Sequence, residues 1–263
     1  MSRDFSQIYV SKTLNHFKVN IKKKWNLVDY HNKDIPSIFF GVYRERDLKI
    51  ILNHQSYGII IFGGNDLHKD QVLKIFEYKK DTFFTFGYGW MLDFFKKLNI
   101  PHKYMVLPIK KMETLKPTPL GKNIYIYIGW SNIKRYKYFK FDEIILPLID
   151  NFGENRVIWV KENNSINFAS LVKDYYNNSF VFVKTNQRGG STTMWELALM
   201  GRKTIAQNQG GAPNVLEYKN LDHMIDLIYE ESKKIGTVQE CVYNSTKKIF
   251  QESDEWLYLK FWL

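Results

Sequence analysis

This 263-residue sequence predicts an α/β fold in which two parallel-sheet domains face each other across a cleft, and three observations carry that expectation. Short runs rich in Ile, Val, Phe and Tyr alternate with longer amphipathic segments, the rhythm of β-α units stacked around a parallel sheet. A polar stretch punctuated by Pro117 and Pro119 interrupts that rhythm and divides the chain into domains at 1–117 and 118–263. Glycine-bearing turns follow several of the apolar runs, at the strand ends where ligands bind in sheets of this kind.

In the first half, "SIFFGVY" from Ser37 reads as a strand, "RERDLKIILNHQ" as a helix, "YGIIIFGG" as a strand and "HKDQVLKIFEYK" as a helix. "TFFTFG", "WMLDFFKKL" and "KYMVLP" continue the alternation and leave the first domain short, an incomplete α/β unit by Pro108. After "IKKMETLKPTPLGKN" the rhythm restarts with "NIYIYIGW" as a strand, "FDEIILPLIDNF" as a helix, "RVIWVKE" as a strand and "NFASLVKDYYNN" as a helix. "SFVFVKT" and "KTIAQ" are further strands and "NLDHMIDLIYEESKKIG" a helix. The tail from Glu240 is helical, then strongly aromatic, and is expected to cross back onto the first domain.

An apolar share of 44% with 17 Tyr and 19 Phe gives ample material for a core and excludes a disordered or low-complexity chain. The single Cys241 makes no internal disulfide, and the six histidines are too scattered for a zinc site. No apolar run approaches the roughly 20 residues that span a bilayer, and "MSRDFSQIYV" has no signal core. A cytoplasmic protein is expected. The formal charge of +11 favours anionic partners, although most of it is lysine dispersed among acids; Lys22, Lys23 and Lys24 beside Trp25 form the densest cluster, and peripheral membrane contact through this basic surface is a subsidiary expectation.

The most informative stretch is "QRGGSTTMWELALMGRKTIAQNQGGAPNVLEY", from Gln187 to Tyr218. Gly189, Gly190 and Ser191 fall in the turn between a buried-type strand and a helix, where free N–H groups and the helix dipole favour an anion such as a phosphate. Ser191, Thr192 and Thr193 add hydroxyls. Glu196 is the only ionisable residue of the apolar helix that follows and shares a face with Thr192, which suits it to accept hydrogen bonds from a ribose diol. The competing explanation is a T-x-x-E capping box from Thr193 to Glu196. A second pair, Gly210 and Gly211, follows the next strand and lines the same edge of the sheet.

This order of strand, Gly-Gly-Ser-Thr-Thr, apolar helix with one glutamate, "MGRKTIA" strand, Gly-Gly loop and "PNVLEY" resembles the nucleotide-sugar half of GT-B glycosyltransferases, over about Lys122 to Gly236. The resemblance implies two Rossmann-like domains and a metal-independent transfer of a sugar from a nucleotide-diphosphate-sugar donor, UDP-linked for example, to a carbohydrate or other hydroxyl acceptor. It implies ribose binding by Glu196, diphosphate contacts from Gly190, Ser191 and Thr192, and approach of Gly210 and Gly211 to the donor sugar. Many retaining members carry a second glutamate eight positions earlier; here Arg188 stands there, which leaves inversion or retention open. The loop holding Gly129 and Ser131, with Lys134 and Arg135, is expected to supply cations to the leaving diphosphate, and the "VKTNQ" stretch with Lys184 to contact the donor. As an alternative, "KRYKY" is a solvated helix start.

The first half is expected to hold the acceptor and the catalytic base. "FGGNDLHKD" ends a strong strand and offers Asn65, Asp66 and His68; "GVYRERD" offers Tyr43, Arg44, Glu45 and Asp47; "FGYGW" offers Gly87, Tyr88 and Trp90. Asp66 is the first candidate to deprotonate the acceptor, Glu45 the second and His68 a third, with helix capping as the alternative for the two carboxylates. Asp-x-Asp, Walker, G-x-G-x-x-G and G-x-S-x-G patterns are all absent, so neither a cofactor nor a fixed metal is expected. A nucleotide-sugar epimerase shares the architecture, but the first domain offers no evident acid and base pair. A basic nucleic-acid-binding module is the alternative from another class; the dispersed charge argues against it, and no nucleic-acid partner is expected.

Overall fold

The computed structural model describes residues 5–64, 66–87, 89–104, 112–128, 137–160, 166–186, 192–209, 212 and 214–254. The chain divides into two compact units, Met1–Lys110 with Arg188–Gly190 and Ile249–Leu263, and Lys111–Gln187 with Ser191–Lys248.

The first unit is built on a six-stranded sheet of β1 (Gln7–Val10), β2 (Val28–Asp29), β3 (Ser37–Phe40), β4 (Gly58–Ile61), β5 (Phe83–Gly87) and β6 (His102–Tyr104), in the order β2-β1-β3-β4-β5-β6. Every pairing is parallel. The reason is legible in β3 and β4, "SIFF" and "GIII", which are buried on both faces and therefore apolar without alternation. Helices Glu45–Asn53, Lys69–Lys79 and Trp90–Lys97 fill the crossovers. One apolar cluster gathers Phe39, Ile60, Phe62, Ile75, Phe83 and Phe95, and another gathers Ile8, Ile38, Phe40, Ile59, Ile61 and Phe86, so successive residues of β3 and β4 serve opposite faces.

Sequence rhythm starts this sheet at Ser37, whereas the structure adds β1, the helix Asn15–Lys24 and β2 before it and so completes the unit. These elements hide because β1 is short and opens on a buried glutamine. Gln7 is fully buried and clasps the segment that joins β2 to β3: its amide nitrogen donates to Ile35 O (3.2 Å), Ser37 Oγ (2.7 Å) and Asn32 O, and its oxygen accepts from the N–H groups of His31 and Asn32. The Lys22–Lys24 cluster occupies the last turn of Asn15–Lys24, where cations suit the helix dipole, and Lys18 and Lys22 both pair with Asp29 at 2.9 and 3.1 Å.

The second unit carries a five-stranded sheet, again wholly parallel, of β7 (Asn123–Ile126), β8 (Val157–Ile158), β9 (Ser179–Val183), β10 (Lys203–Ala206) and β11 (Val215–Glu217), ordered β11-β10-β9-β7-β8. One face is aliphatic: Ile124, Ile126, Val181, Val183 and Ile205 join Leu148, Met224 and Ile228 from the helices Leu146–Phe152 and Leu221–Ser232. On the other face Tyr125 stacks on Phe182 at 5.8 Å. The expected helices at Phe141 and Asn167 both contain π-helical segments, Phe141–Ile145 and Leu171–Tyr176. No helix among the described residues is long and apolar enough to cross a membrane.

At the amino edge of this sheet Arg202 is fully buried and meets no carboxylate among the described residues. Its Nε donates to Ser179 O (3.2 Å), Nη1 to Thr118 O (3.1 Å), Thr118 Oγ1 (2.7 Å) and Met200 O, and Nη2 to Pro119 O (2.8 Å). The planar fork of a guanidinium can serve that many acceptors at once; an ammonium cannot. Gly201, at φ +88°, ends the preceding helix and lets the Arg202 N–H return to Leu197 O at 2.8 Å. Arg202→Ala is expected to cost about 3 kcal/mol or more by orphaning buried carbonyls, and Arg202→Lys to recover only part of it, as read from urea midpoints.

Candidate functional site

Parallel strands put all their carboxyl ends on one edge, so the segments after β7, β9 and β10 emerge together along the second sheet. Gly129, Ser131, Lys134 and Arg135 after β7, Arg188, Gly189, Gly190 and Ser191 after β9, and Gly210 and Gly211 after β10 lie outside the described residues, as do Asn65 and Tyr88 in the first unit. What the structure places is the framework from which these segments spring.

The helix Thr192–Ala198 follows β9, with Thr192 half-buried and its other residues buried. Glu196 is 9% exposed, and its Oε2 accepts a 2.6 Å hydrogen bond from the hydroxyl of Tyr176. Its Oε1 meets no donor among the described residues. Tyr176 is itself 0% exposed and meets Tyr125 edge to face at 5.4 Å. Burial pushes the Glu196 carboxyl above the ordinary range and the Tyr176 bond pulls it back; burial and the nearby carboxylate hold both tyrosines neutral, their hydroxyls raised. The capping-box alternative is corrected here: Thr193 lies inside the helix, and the glutamate bonds a tyrosine rather than a backbone N–H.

Lys184 continues β9 on the face that carries Phe182 and is 4% exposed. Its Nζ donates to Asn186 O at 2.6 Å, its one acceptor among the described residues, and burial pulls its ammonium down to about 8. Next to it, the Thr185 hydroxyl is buried without a partner among them. A buried cation with no counter-ion at this edge suits an anionic ligand.

The loop after β10 is braced on both flanks. Asn208 takes φ +54°, the Gln209 N–H donates to Glu217 Oε1 at 3.1 Å, and Ala212 is buried. Buried Asn214 donates to Val242 O (3.3 Å) and Thr246 Oγ1 and accepts from Ser245 Oγ (3.0 Å), which ties the loop to the helix Glu240–Asp254. Sequence reasoning missed Asn214, Tyr125 and Tyr176. Only the apolar helix around Glu196 hinted that something buried must answer its charge.

In the first unit the three base candidates separate. Asp66 is fully buried; its Oδ2 accepts from the Val42 N–H (2.7 Å) and its Oδ1 from the Gly64 N–H (2.9 Å), so it ties the loops after β3 and β4 together and caps no helix. Burial raises its carboxyl and these amides lower it. Glu45 is the exposed first residue of its helix and pairs with Lys49 at 2.8 Å, which lowers its carboxyl. Capping there falls to Asp47, a residue named only in passing by the sequence, which accepts from the Tyr43 and Arg44 N–H groups (3.0 Å each), Tyr9 (2.6 Å) and Ser11 (2.8 Å). His68 stands at the amino end of Lys69–Lys79, exposed, its ring bonded to none of the described residues. Trp90 packs against the core beside Phe94. Among the described residues no three His, Cys, Asp or Glu side chains gather as a metal site.

No family model and no curated protein matches the chain in sequence. Solved structures do match its fold. Sucrose-phosphate synthase from Thermosynechococcus elongatus aligns at a TM-score of 0.56 and 11% identity over 94% of this chain and 75% of that one. The DNA modifying enzyme β-glucosyltransferase, solved in the presence and absence of its substrate uridine diphosphoglucose, aligns at 0.51 and 12% over 95% and 97%. A UDP-forming α,α-trehalose-phosphate synthase from Burkholderia vietnamiensis aligns at 0.50 and 8% over 86% and 70%. The fold is that of the GT-B glycosyltransferases, with its two parallel-sheet, Rossmann-like units.

The lysine gives the site a stability signature. Its ammonium is disfavoured in the folded chain, so the penalty is fully present below pH 8 and lifts as pH rises towards the ordinary value of 10.5. Lys184→Met is therefore expected to raise the urea-unfolding free energy at pH 7 by up to ~3 kcal/mol and to abolish the rise in stability between pH 8 and 10.5.

Proposed function

We propose that the chain is a glycosyltransferase that moves a sugar from a uridine diphosphate sugar to a hydroxyl acceptor, with the nucleotide held at the carboxyl edge of the second sheet. The observation that carries this is Glu196: a buried carboxylate just inside a helix that follows the central strand, held on one oxygen by Tyr176 and without a donor on the other among the described residues. Ribose hydroxyls are the donors it lacks. The fold supports the choice of donor class, since one structural neighbour was solved with uridine diphosphoglucose and another is UDP-forming.

In this reading the acceptor oxygen bonds to the anomeric carbon, the bond from that carbon to the diphosphate breaks, and UDP leaves with the electron pair. Lys184, with Lys134, Arg135 and Arg188, meets the negative charge that grows on the diphosphate, so the reading needs no fixed metal. Gly190, Ser191 and Thr192 supply N–H and hydroxyl donors to it, and Gly210 and Gly211 let the backbone approach the sugar. The acceptor proton goes to a side chain of the first unit. Both oxygens of Asp66 already serve backbone amides, which favours His68 and Glu45, whose side chains are exposed.

A thermal-shift series with UDP, GDP, CDP and dTDP in EDTA tests the donor site. UDP at about 100 times its Kd should stabilise the chain by about 2.7 kcal/mol, with the other bases weaker. Glu196→Gln should weaken UDP by about tenfold or more with the far-ultraviolet spectrum unchanged. No shift with any nucleotide overturns the proposal. Sugar transfer is then assayed with glycan acceptors and with duplex DNA, the latter because one neighbour is a DNA modifying enzyme; His68→Ala should lower kcat by about 100-fold with UDP affinity retained.

A further inference from the structure

Four buried carboxylates stand among the described residues and are treated differently; Glu231 takes Lys203 and Lys234 on Oε1, two cations that balance its charge. Asp47 and Asp66 receive donors on both oxygens, chiefly from backbone N–H groups, and each thereby holds loops together. Glu196 receives one hydrogen bond, on Oε2, and its other oxygen meets no donor among the described residues. Among the described residues Glu231 leaves one oxygen unmet but has two lysines for its charge, whereas Glu196 has neither a second donor nor a cation, and a buried charge left so costs free energy.

The single donor is unusual in how it is delivered. Tyr176 is the last residue of the π-helical segment Leu171–Tyr176, where the Asn177 N–H reaches back to Val172 O at 2.9 Å. π-segments of this kind re-aim side chains and concentrate at functional sites. The ring is pinned by Tyr125 on β7, itself stacked on Phe182 of β9, so the hydroxyl is aimed from the floor of the sheet. A phenol donates one hydrogen bond without cancelling the charge it serves. Lysine or arginine at the same place would neutralise the carboxylate and compete with any ligand for it.

We propose that Tyr176 is the positioning residue of the donor site: its hydroxyl fixes the Glu196 carboxylate through Oε2 and leaves Oε1, still charged, as the acceptor for the ribose hydroxyls. This rests on the donor reading given above and adds to it the residue that sets ribose selectivity. The titratable groups that face Glu196 among the described residues are Tyr176 and Tyr125, both neutral, so the ribose preference responds to acid through Glu196, while Lys184 acts on the diphosphate of either nucleotide. Without the phenol, burial acts on the carboxyl unopposed, and protonation removes the ribose acceptor at a higher pH.

Binding of UDP and of its 2′,3′-dideoxy analogue is measured by calorimetry from pH 5 to 8 for the wild type, Tyr176→Phe and Glu196→Gln, with each melting temperature recorded. The wild type should prefer UDP by about 30-fold at pH 8, as expected for hydroxyls paired with a charged acceptor. Tyr176→Phe should cut that preference to about fivefold or less and lose it at a higher pH than the wild type does, while the dideoxy analogue binds both proteins equally. In Glu196→Gln the preference for UDP over the analogue should be small and insensitive to pH, because Lys184 and the diphosphate bear equally on both ligands. A wild type that binds neither nucleotide overturns the donor reading and this inference with it. Equal binding of both nucleotides by the wild type overturns the inference and leaves the donor reading standing. So does an unchanged preference and pH profile in Tyr176→Phe, whatever happens to its melting temperature, because that is what a purely structural tyrosine would give.

Discussion

The architecture of the second unit depends on a cation that has no counter-ion among the described residues. Arg202 sits where four pieces of chain must meet: the segment entering the unit at Thr118 and Pro119, the start of β9 at Ser179, the end of the Thr192–Ala198 helix at Met200, and β10, which Arg202 immediately precedes. The first three bring carbonyl groups to this edge, those of Thr118, Pro119, Ser179 and Met200, and the guanidinium gathers them. Burial pulls its pKa down to about 10, yet it stays ionised at neutral pH. By closing the amino edge with backbone carbonyls and the one hydroxyl of Thr118, it fixes where β9 and β10 begin. Because the strands are parallel, that also fixes the height at which Lys184, Thr185 and the β10 loop leave the opposite edge.

Buried polar groups in the chain fall into two classes. Gln7, Asp47, Asp66, Arg202 and Asn214 have partners for nearly all their capacity, most of them backbone groups from separate segments. They act as clasps, and their cost of desolvation is offset locally. Glu196, Lys184 and the hydroxyl of Thr185 are comparably buried and are left short of partners among the described residues. Lys184 and Thr185 continue β9 past its carboxyl end, and Glu196 lies on the helix that follows. Incompleteness alone does not mark the site, since the Thr204 hydroxyl in β10 and the Trp90 indole N–H are also buried without a partner among the described residues.

The parallel sheets were legible because their central strands are buried on both sides: "SIFF", "GIII" and "SFVFV" admit few other readings. So was the turn before Glu196, since glycine and hydroxyl residues between an apolar strand and an apolar helix have a definite physical use. The elements before Ser37 were not, because Gln7 breaks the pattern of β1 and Ile21 is the only fully buried residue of the helix Asn15–Lys24. Nor could periodicity anticipate that Asp66 ties two loops, or that Tyr176, twenty positions before Glu196, would meet it. Side-chain partners distant in sequence leave no spacing to read, and a π-segment breaks the 3.6-residue register on which helical faces are inferred.

That break has a historical implication. A π-segment arises when one residue is inserted into an existing helix, which absorbs the addition as a wider turn instead of shifting everything downstream. Removing one residue from Leu171–Tyr176 would restore an ordinary turn, rotate the last side chain by about 100° and carry the phenol off the carboxylate, with β9 and the core undisturbed.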